Sequence, residues 1–348
     1  MATATGVFHR SYESELRLRH TTAEQARVWF ALVLVVAAPF LLSPFWLSVA
    51  NRIGIAVIGA IGLNILTGYT GQISLGQGGF LAVGAYTSGL LVVRLGVPTL
   101  AAIVMAVLFT ALVGAFFGLP ALRLKGLYLA IATLAAQFII LFTVRNWRAV
   151  TGGTESISVP KPELFGFTFR TDFHWYWIIA ACAVAATIVA RNLFRTGIGR
   201  AFTAIRDQDI AAEALGVNLT RYKVLAFSVS SGFVGLAGAL TGHYRIITWE
   251  RFTLDTSIEY LAMIIVGGLG SILGAILGAF FIVLLPAVIE QTGTALRDVF
   301  PAITGQLPAL QLGAFGLVIM LFLIFEPRGL ARMWQRTKDY FRLWPFRY

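Results

Sequence analysis

Residues 68–91 read GYTGQISLGQGGFLAVGAYTSGLL. This stretch is apolar enough for a membrane span, yet Gln72, Ser74, Gln77 and a run of glycines interrupt it. Irregular or broken helices persist at membrane depth only where protein or a water-filled cavity surrounds them. We therefore expect residues 72–93 to lie in the interior of a helix bundle and not against lipid.

The composition of the whole chain is that of a membrane protein. Of 348 residues, 58% are hydrophobic and only 12% are charged, against about 25% in a typical soluble domain. Ten apolar stretches are candidate spans: residues 28–49, 53–69, 72–93, 98–119, 125–144, 174–191, 223–244, 257–267, 270–290 and 309–326. Because 257–267 is too short to cross a bilayer alone, it too belongs in the interior. The fold class predicted is an all-α polytopic membrane protein with about ten transmembrane helices.

The charge distribution predicts the topology. The net charge is +11, and most Lys and Arg residues fall in alternate connecting segments and in the two tails. Since basic residues concentrate on the cytoplasmic side, both termini are expected to be cytoplasmic. The predicted organisation is a cytoplasmic tail at 1–27, a transmembrane domain at 28–326 that includes a cytoplasmic segment at 192–222, and a cytoplasmic tail at 327–348. The basic and aromatic residues of the last tail suit anionic membrane lipid rather than nucleic acid.

Several function classes find no support in the residues. One cysteine, Cys182, and four histidines without paired spacing predict no metal site. The chain has no GxxxxGK[ST] phosphate loop, so we expect it neither to hydrolyse ATP nor to bind a cofactor itself. Acidic residues lie at span ends or in loops, which argues against an ion-driven transporter. A membrane enzyme is disfavoured because no acid–base cluster shares one depth.

A charged, alanine-rich segment, GRAFTAIRDQDIAAEALGV at 199–217, lies between two spans. Asp209 is predicted to cap a short helix and Gly216 to end it in a left-handed conformation. Asn218 is predicted to cap the next helix. Helical spacing places Ile210, Ala211, Ala214 and Leu215 on one face and Glu213 on the other. The pattern alone fits either an interfacial connecting helix or a docking element.

Polar residues within spans are candidates for lining a pathway, because they are costly unless they face the bundle interior or water. The candidates are Asn64, Gln72, Ser74, Gln77, Tyr128, Gln137 and Glu259, the last of which is expected at the outer end of a short helix. The alternative is that buried Gln and Ser side chains only join neighbouring helices. Glycines in IIVGGLGS, at 264–271, are expected to form a turn near the inner face.

Two segments, 53–144 and 223–326, are candidate inverted halves. Glycines recur in both, as in SLGQGGFLAVGA (74–85) and SILGAILGA (271–279). Transporters often contain inverted repeats with broken helices at matching positions. The segments 145–173 and 245–257, which the predicted topology places outside, are candidate docking surfaces for a partner protein.

The segments at 68–91 and 199–217, together with GLYLAIATLA (126–135), SIEYLAMIIVGGLGSILGAILGA (257–279) and FEPRGL (325–330), resemble LivM-type permeases of bacterial branched-chain amino acid ABC importers. The resemblance covers about residues 50–332 and implies an ABC-importer permease fold in the inner membrane. It implies a coupling helix at 206–216 that contacts an ATPase, through Arg206, Asp207, Asp209, Ala212, Glu213, Ala214, Leu215 and Gly216.

The same resemblance implies the partners: a LivH-type permease subunit, two ATP-binding subunits that hold ATP and Mg²⁺, and a periplasmic substrate-binding protein. The cargo it implies is a branched-chain or other apolar amino acid. Permeases for urea, short-chain amides and aromatic compounds are similar, and they remain an alternative. One departure is visible, because Gln77 stands where the family often has histidine.

Overall fold

The computed structural model describes residues 22–161, 163–164, 167–168, 171–295, 303–326 and 328–343. Most of the predicted N-terminal tail, 1–21, and the last residues of the C-terminal tail, 344–348, lie outside the described residues. The chain divides into two compact units, residues 1–48 and residues 49–348. In the first unit, a helix runs over Thr22–Leu41 and the next begins at Pro44.

The described residues are almost entirely helical. The α-helices are α1 (Thr22–Leu41), α2 (Pro44–Thr70), α3 (Gln77–Leu95), α4 (Thr99–Gly118), α5 (Leu127–Asn146), α6 (Arg148–Thr151), α7 (Asp172–Leu193), α8 (Gly197–Asp207), α9 (Asp209–Ala214), α10 (Leu219–Tyr244), α11 (Leu254–Gly267), α12 (Ile272–Ala295), α13 (Ile303–Phe325) and α14 (Gly329–Leu343). Short 3₁₀ helices cover Pro120–Leu122 and Trp249–Phe252, and β1 (Glu163–Leu164) pairs antiparallel with β2 (Phe167–Thr168).

The predicted all-α, multi-span fold is confirmed. Within the described residues, eight helices are long and apolar enough to cross a membrane: α2–α5, α7, α10, α12 and α13. The predicted span 28–49 is wrong as a single helix, because the chain breaks between Leu41 and Pro44. Proline lacks an N–H and restricts the residue before it, so a helix ends ahead of it. As predicted, α11 is short, with 14 residues.

The first helices of the two predicted halves, α2 and α10, run in opposite directions. Helix α2 ends beside α8, where Gly68 accepts a hydrogen bond from Arg206. Helix α10 begins at that same end, where Lys223 pairs with Asp209 of α9. Helix α10 packs against α3 and α4 of the other half, and α2 approaches α11 where Gly59 lies beside the Tyr260 ring. This exchange of contacts fits two inverted halves, and the repeat itself stays a prediction.

Close backbone approach makes this exchange possible. A Cβ atom at Gly84 of α3 would collide with the backbone of Gly235 of α10, and one at Gly59 of α2 would lie 2.5 Å from the ring of Tyr260. Small residues at helix interfaces permit such approach in membranes. Gly59 and Gly84 therefore serve helix packing.

The chain between α2 and α3 is non-helical over residues 71–76, where Gln72, Ser74 and Gly76 are buried and Gly71 and Ile73 are exposed. Its backbone is bonded: Leu75 N–H donates to the Thr133 hydroxyl at 2.9 Å, and Gln72 N–H donates to the Leu66 carbonyl at 3.2 Å. Since unsatisfied backbone groups are costly at membrane depth, these bonds explain how a broken helix is tolerated there. The predicted interior position is confirmed for the buried residues of this stretch, whereas Ile73 is 40% exposed.

Candidate functional site: a surface helix and an interior polar junction

Helix α9 presents apolar side chains away from the rest of the chain. Ile210 is 72% exposed and Leu215, just after the helix, is 86% exposed. Ala211 and Ala214 are also exposed, whereas Ala212 is buried at 3%. We call Ile210, Ala211, Ala214 and Leu215 the α9 apolar surface. A contiguous exposed apolar surface on an otherwise charged segment is typical of a protein contact.

The C-terminal end of α9 and the start of α10 agree with two predictions made from the sequence. Gly216 adopts a left-handed conformation, with φ +89°, and its N–H donates to the Glu213 carbonyl at 2.9 Å. The Asn218 side chain accepts the Arg221 N–H at 2.9 Å and caps α10. Both predictions are confirmed, since glycine adopts positive φ without strain and asparagine is a preferred cap.

The predicted capping role of Asp209 is wrong. The residue before the helix is Gln208, and no side chain caps this end. The carboxylate of Asp209 instead lies 2.5 Å from the Lys125 ammonium and 3.5 Å from the Lys223 ammonium. Two cations attract the carboxylate more strongly than a backbone N–H does. Their contact joins α9 to the residues before α5 and to α10.

These contacts also act on the protonation of Asp209. The hydrogen bond from Lys125 is the largest influence and lowers the pKa of the Asp209 carboxyl, and the Lys223 charge acts in the same direction. Partial desolvation opposes them. A carboxylate held by two cations remains charged at any physiological pH.

Arg206 provides the second connection from this segment to the bundle. Its guanidinium donates to the Gly68 carbonyl at 3.2 Å, and it binds Asp207 with N–O distances of 2.9 and 3.0 Å. A Cβ atom at Gly270 would lie 2.9 Å from the same guanidinium. Arg206 thus contacts the end of α2 and the turn between α11 and α12, where Gly268 and Gly270 have positive φ as expected.

Sequence reasoning missed the partners of this segment. Lys125 lies far from 206–216 in the chain, whereas Lys223 lies on the helix that follows this segment, and the fold brings both to Asp209. It also missed the stacking of Tyr69 on Phe194, whose ring centroids lie 3.5 Å apart. The available signal was that both lysines lie at the first residue of a predicted span, 125–144 or 223–244, but spacing alone does not pair them with Asp209.

An interior polar junction forms where α3 and α11 begin. Ser257 accepts the Gly78 N–H at 2.8 Å and donates to the Gln137 amide oxygen at 2.6 Å. Gln77 donates to the Gly59 carbonyl at 3.0 Å. We call Gly59, Gln77, Gly78, Gln137 and Ser257 the polar junction. The structure thus brings together Gln77 and Gln137 and adds Ser257, which the sequence did not single out.

The other pathway candidates lie apart from this junction. Asn64 is buried and joins α2 to the turn between α11 and α12. Its side chain donates to the Ser271 carbonyl and accepts the Gly270 N–H. Gln72 donates to the Thr70 hydroxyl at 2.8 Å, and Ser74 accepts the Gly76 N–H at 3.3 Å. These side chains join backbone segments, which is the alternative that the sequence left open.

Tyr128 and Glu259 occupy different environments. Tyr128 is 74% exposed near the start of α5. Glu259 was expected at the outer end of a short helix, but α11 begins at Leu254, so it lies within the helix. Its side chain is half-buried there.

Eight described helices long and apolar enough to cross a membrane, joined in part by a broken and partly buried segment, define a multi-pass membrane protein. The family model for the branched-chain amino acid transport system permease component matches residues 45–324. The chain belongs to this family.

The relatives agree with the family assignment. LivM, the high-affinity branched-chain amino acid transport system permease protein, is 35% identical in Escherichia coli K12 and 34% identical in Salmonella typhimurium LT2. Each match covers 87% of this chain and 73% of the relative. LivH of Escherichia coli K12 is 23% identical over 78% of this chain and 90% of its own. No solved structure matches the chain.

Proposed function

We propose that this chain is the membrane-spanning subunit of an ATP-driven importer for branched-chain or related apolar amino acids, and that the α9 apolar surface docks on an ATPase subunit. The observation that carries the proposal is the exposure of Ile210 and Leu215 on a helix that is otherwise bonded to the bundle. Such a helix is free to bind a partner and is positioned to transmit force to several spans.

The partners follow from the family and from this chain's composition. A LivH-type permease supplies the second half of the pathway, and two ATP-binding subunits hold ATP and Mg²⁺. A periplasmic substrate-binding protein delivers the cargo. It docks on the external loops 145–173 and 245–257, which Ile157 and Ile247 join by mutual backbone hydrogen bonds of 3.0 Å. The α8–α9 end and both termini face the cytoplasm of a bacterial cell, in accord with the positive-inside rule.

Arg206 and Asp209 transmit the motion of the ATPases. Displacement of α9 also moves the preceding helix α8, and α8 moves the end of α2 and the α11–α12 turn through Arg206. Displacement of α9 moves α10 and the segment before α5 through Asp209. Both halves of the bundle are therefore connected to the α8–α9 segment. Their relative tilt switches the pathway between outward and inward access, as in other transporters with inverted repeats.

Substitution of Leu215 tests the docking. Leu215→Glu places a charge in the proposed contact, and Leu215→Met preserves the apolar side chain. We expect the Glu variant to lose ATPase subunits on co-purification and to lose ATP-dependent uptake, whereas the Met variant retains both. Retention of bound ATPase and full uptake by Leu215→Glu would contradict the proposal.

A further inference from the structure

An apolar groove of about 620 Å³ lies between α3, α4 and α5. The side chains of Phe109 on α4, and of Ile139 and Trp147 at α5, line it and are each about half exposed. Among the described residues that line the groove, only Arg94, near the end of α3, carries a charge. The groove therefore opens on the surface of the bundle, and its exposed apolar wall suits an apolar ligand.

The groove has the depth of one membrane leaflet. Its α3 wall runs from Leu95 to Val83, which is about 18 Å at 1.5 Å per helical residue. The hydrocarbon core of a bilayer is about 30 Å thick, so each leaflet contributes about 15 Å. A transmembrane helix of a partner protein follows the whole thickness of the core, whereas a lipid acyl chain occupies one leaflet. The depth of the groove fits the acyl chain.

The charged end of the groove lies opposite α8 and α9. Helix α10 begins beside α9. Gly84 of α3 packs on Gly235 of α10, and further along both helices Ser88 shares a hydrogen bond with His243, so the two helices run in the same direction. Arg94 therefore lies at the far end of the bundle from α9, the end that the proposed topology places outside.

Cations gather at the mouth of the groove. The Arg94 guanidinium donates to the Ala149 carbonyl at 2.5 Å, and Arg148 precedes Ala149 in the chain. Both arginines are exposed, and in the part of the chain that the structure describes neither makes an ion pair. The positive-inside rule does not account for them, because it concentrates cations at the other end of the bundle. Two unpaired cations beside an apolar groove suit an anion that carries an apolar tail.

We propose that the groove binds one acyl chain of an anionic phospholipid from the outer leaflet, with the lipid phosphate on Arg94 and Arg148. Basic pockets between transmembrane helices bind anionic head groups in this way. Trp147 lies at the mouth, and tryptophan is favoured at the membrane–water interface where a head group resides. The inference goes beyond transport, because the ligand is a resident lipid and not the cargo.

Lipid binding to the intact complex tests the charged part of the site. The chain is purified with its associated subunits, stripped of lipid, and titrated with phosphatidylglycerol or zwitterionic phosphatidylcholine, while native mass spectrometry counts the bound lipids. We expect Arg94→Gln to bind one phosphatidylglycerol per chain about 5-fold more weakly than wild type, the effect of one arginine on an anionic head group. Phosphatidylcholine binding should not change. Equal phosphatidylglycerol affinity in the variant and the wild type would overturn the proposal.

Filling the groove tests its apolar part. Thr87 is half-buried in the groove wall, so Thr87→Trp should occupy the space of the acyl chain and abolish this phosphatidylglycerol site. The matched controls are Leu108→Trp, at an exposed position of α4 outside the groove, and Arg191→Gln, at an exposed cation of α7. Both controls should bind lipid as the wild type does. Unchanged phosphatidylglycerol binding in Thr87→Trp would overturn the site.

A photoreactive acyl chain locates the lipid. Phosphatidylglycerol with a diazirine on one chain should label α3, α4 or α5 of the wild type on irradiation, and label them less in Thr87→Trp. Labelling confined to other helices or to other subunits would overturn the site. Displacement of the lipid by glycerol phosphate, which has the charge without an acyl chain, would also overturn it.

Discussion

The Lys125 ammonium lies 2.5 Å from the Asp209 carboxylate, and this contact joins the residues before α5 to the helix that carries the α9 apolar surface. Lys223 of α10 shares the same carboxylate at 3.5 Å. One acidic side chain thus links α9 to two segments that belong to different halves of the bundle. Under the proposed coupling, motion of α9 would be transmitted to both halves at once.

Removal of the Lys125 charge should weaken the coupling of uptake to ATP hydrolysis and leave the stability of the fold almost unchanged. Lys125 is 65% exposed, so Lys125→Gln should change the free energy of unfolding by less than about 1 kcal/mol. Uptake per ATP hydrolysed should nonetheless fall, because α9 loses one of its attachments. Parallel assays of uptake and ATPase activity in proteoliposomes measure this ratio. The control is Arg123→Gln at a neighbouring exposed cation, and an equal fall there would contradict the role of Lys125.

The depressed pKa of Asp209 gives a pH dependence with a defined sign. The hydrogen bond from Lys125 lowers this pKa below its ordinary value of 3.8. The contact therefore contributes its full stability above pH 3.8, and the contribution disappears as pH falls through the lower, folded-state pKa. The difference in Tm between wild type and Asp209→Asn should be constant from neutral pH to about pH 5 and vanish in stronger acid. A difference that grows on acidification would contradict this assignment.

The polar junction should be sensitive to loss of the Ser257 hydroxyl. Ser257→Ala leaves the Gly78 N–H and the Gln137 amide oxygen without this partner inside the bundle. The expected destabilisation is about 1–3 kcal/mol, the cost of an unsatisfied buried group. Thermal unfolding of the purified complex measures it. The control is Thr143→Val, since that exposed hydroxyl bonds only to its own helix at Ile139.

A single methyl group should disturb the contact between α3 and α10. A Cβ atom at Gly84 would collide with the Gly235 backbone, which cannot move as a flexible side chain can. Gly84→Ala should therefore destabilise the bundle by about 1–3 kcal/mol. In Gly232→Ala, on α10 itself, the nearest atom would lie at an ordinary 3.5 Å from the new methyl. Equal stability of the two variants would show that the helices do not approach as described.

Much of the fold was predictable because it depends on local patterns. Long apolar runs gave the spans, and Gln72, Gln77 and the glycines around them indicated the broken interior segment. Gly216 and Asn218 gave the boundary between α9 and α10 because their conformational preferences are local. The break before Pro44 had a local signal as well, but the apolar run across it obscured that signal.

The contacts of the candidate site were not predictable, because they join residues distant in sequence. Nothing near Asp209 indicated that Lys125 and Lys223 would take its carboxylate away from the helix end. Gln77 and Gln137 were recognised as buried polar residues, but the serine that completes their junction was not.

The most direct measurement is uptake of labelled leucine into vesicles that contain the whole complex and its binding protein, with and without ATP at the face that carries α9. The account predicts ATP-dependent leucine uptake that Leu215→Glu abolishes and Leu215→Met preserves. Uptake of urea or an aromatic acid in place of leucine would change the cargo and keep the mechanism. Leucine uptake driven by an ion gradient without ATP would contradict the account.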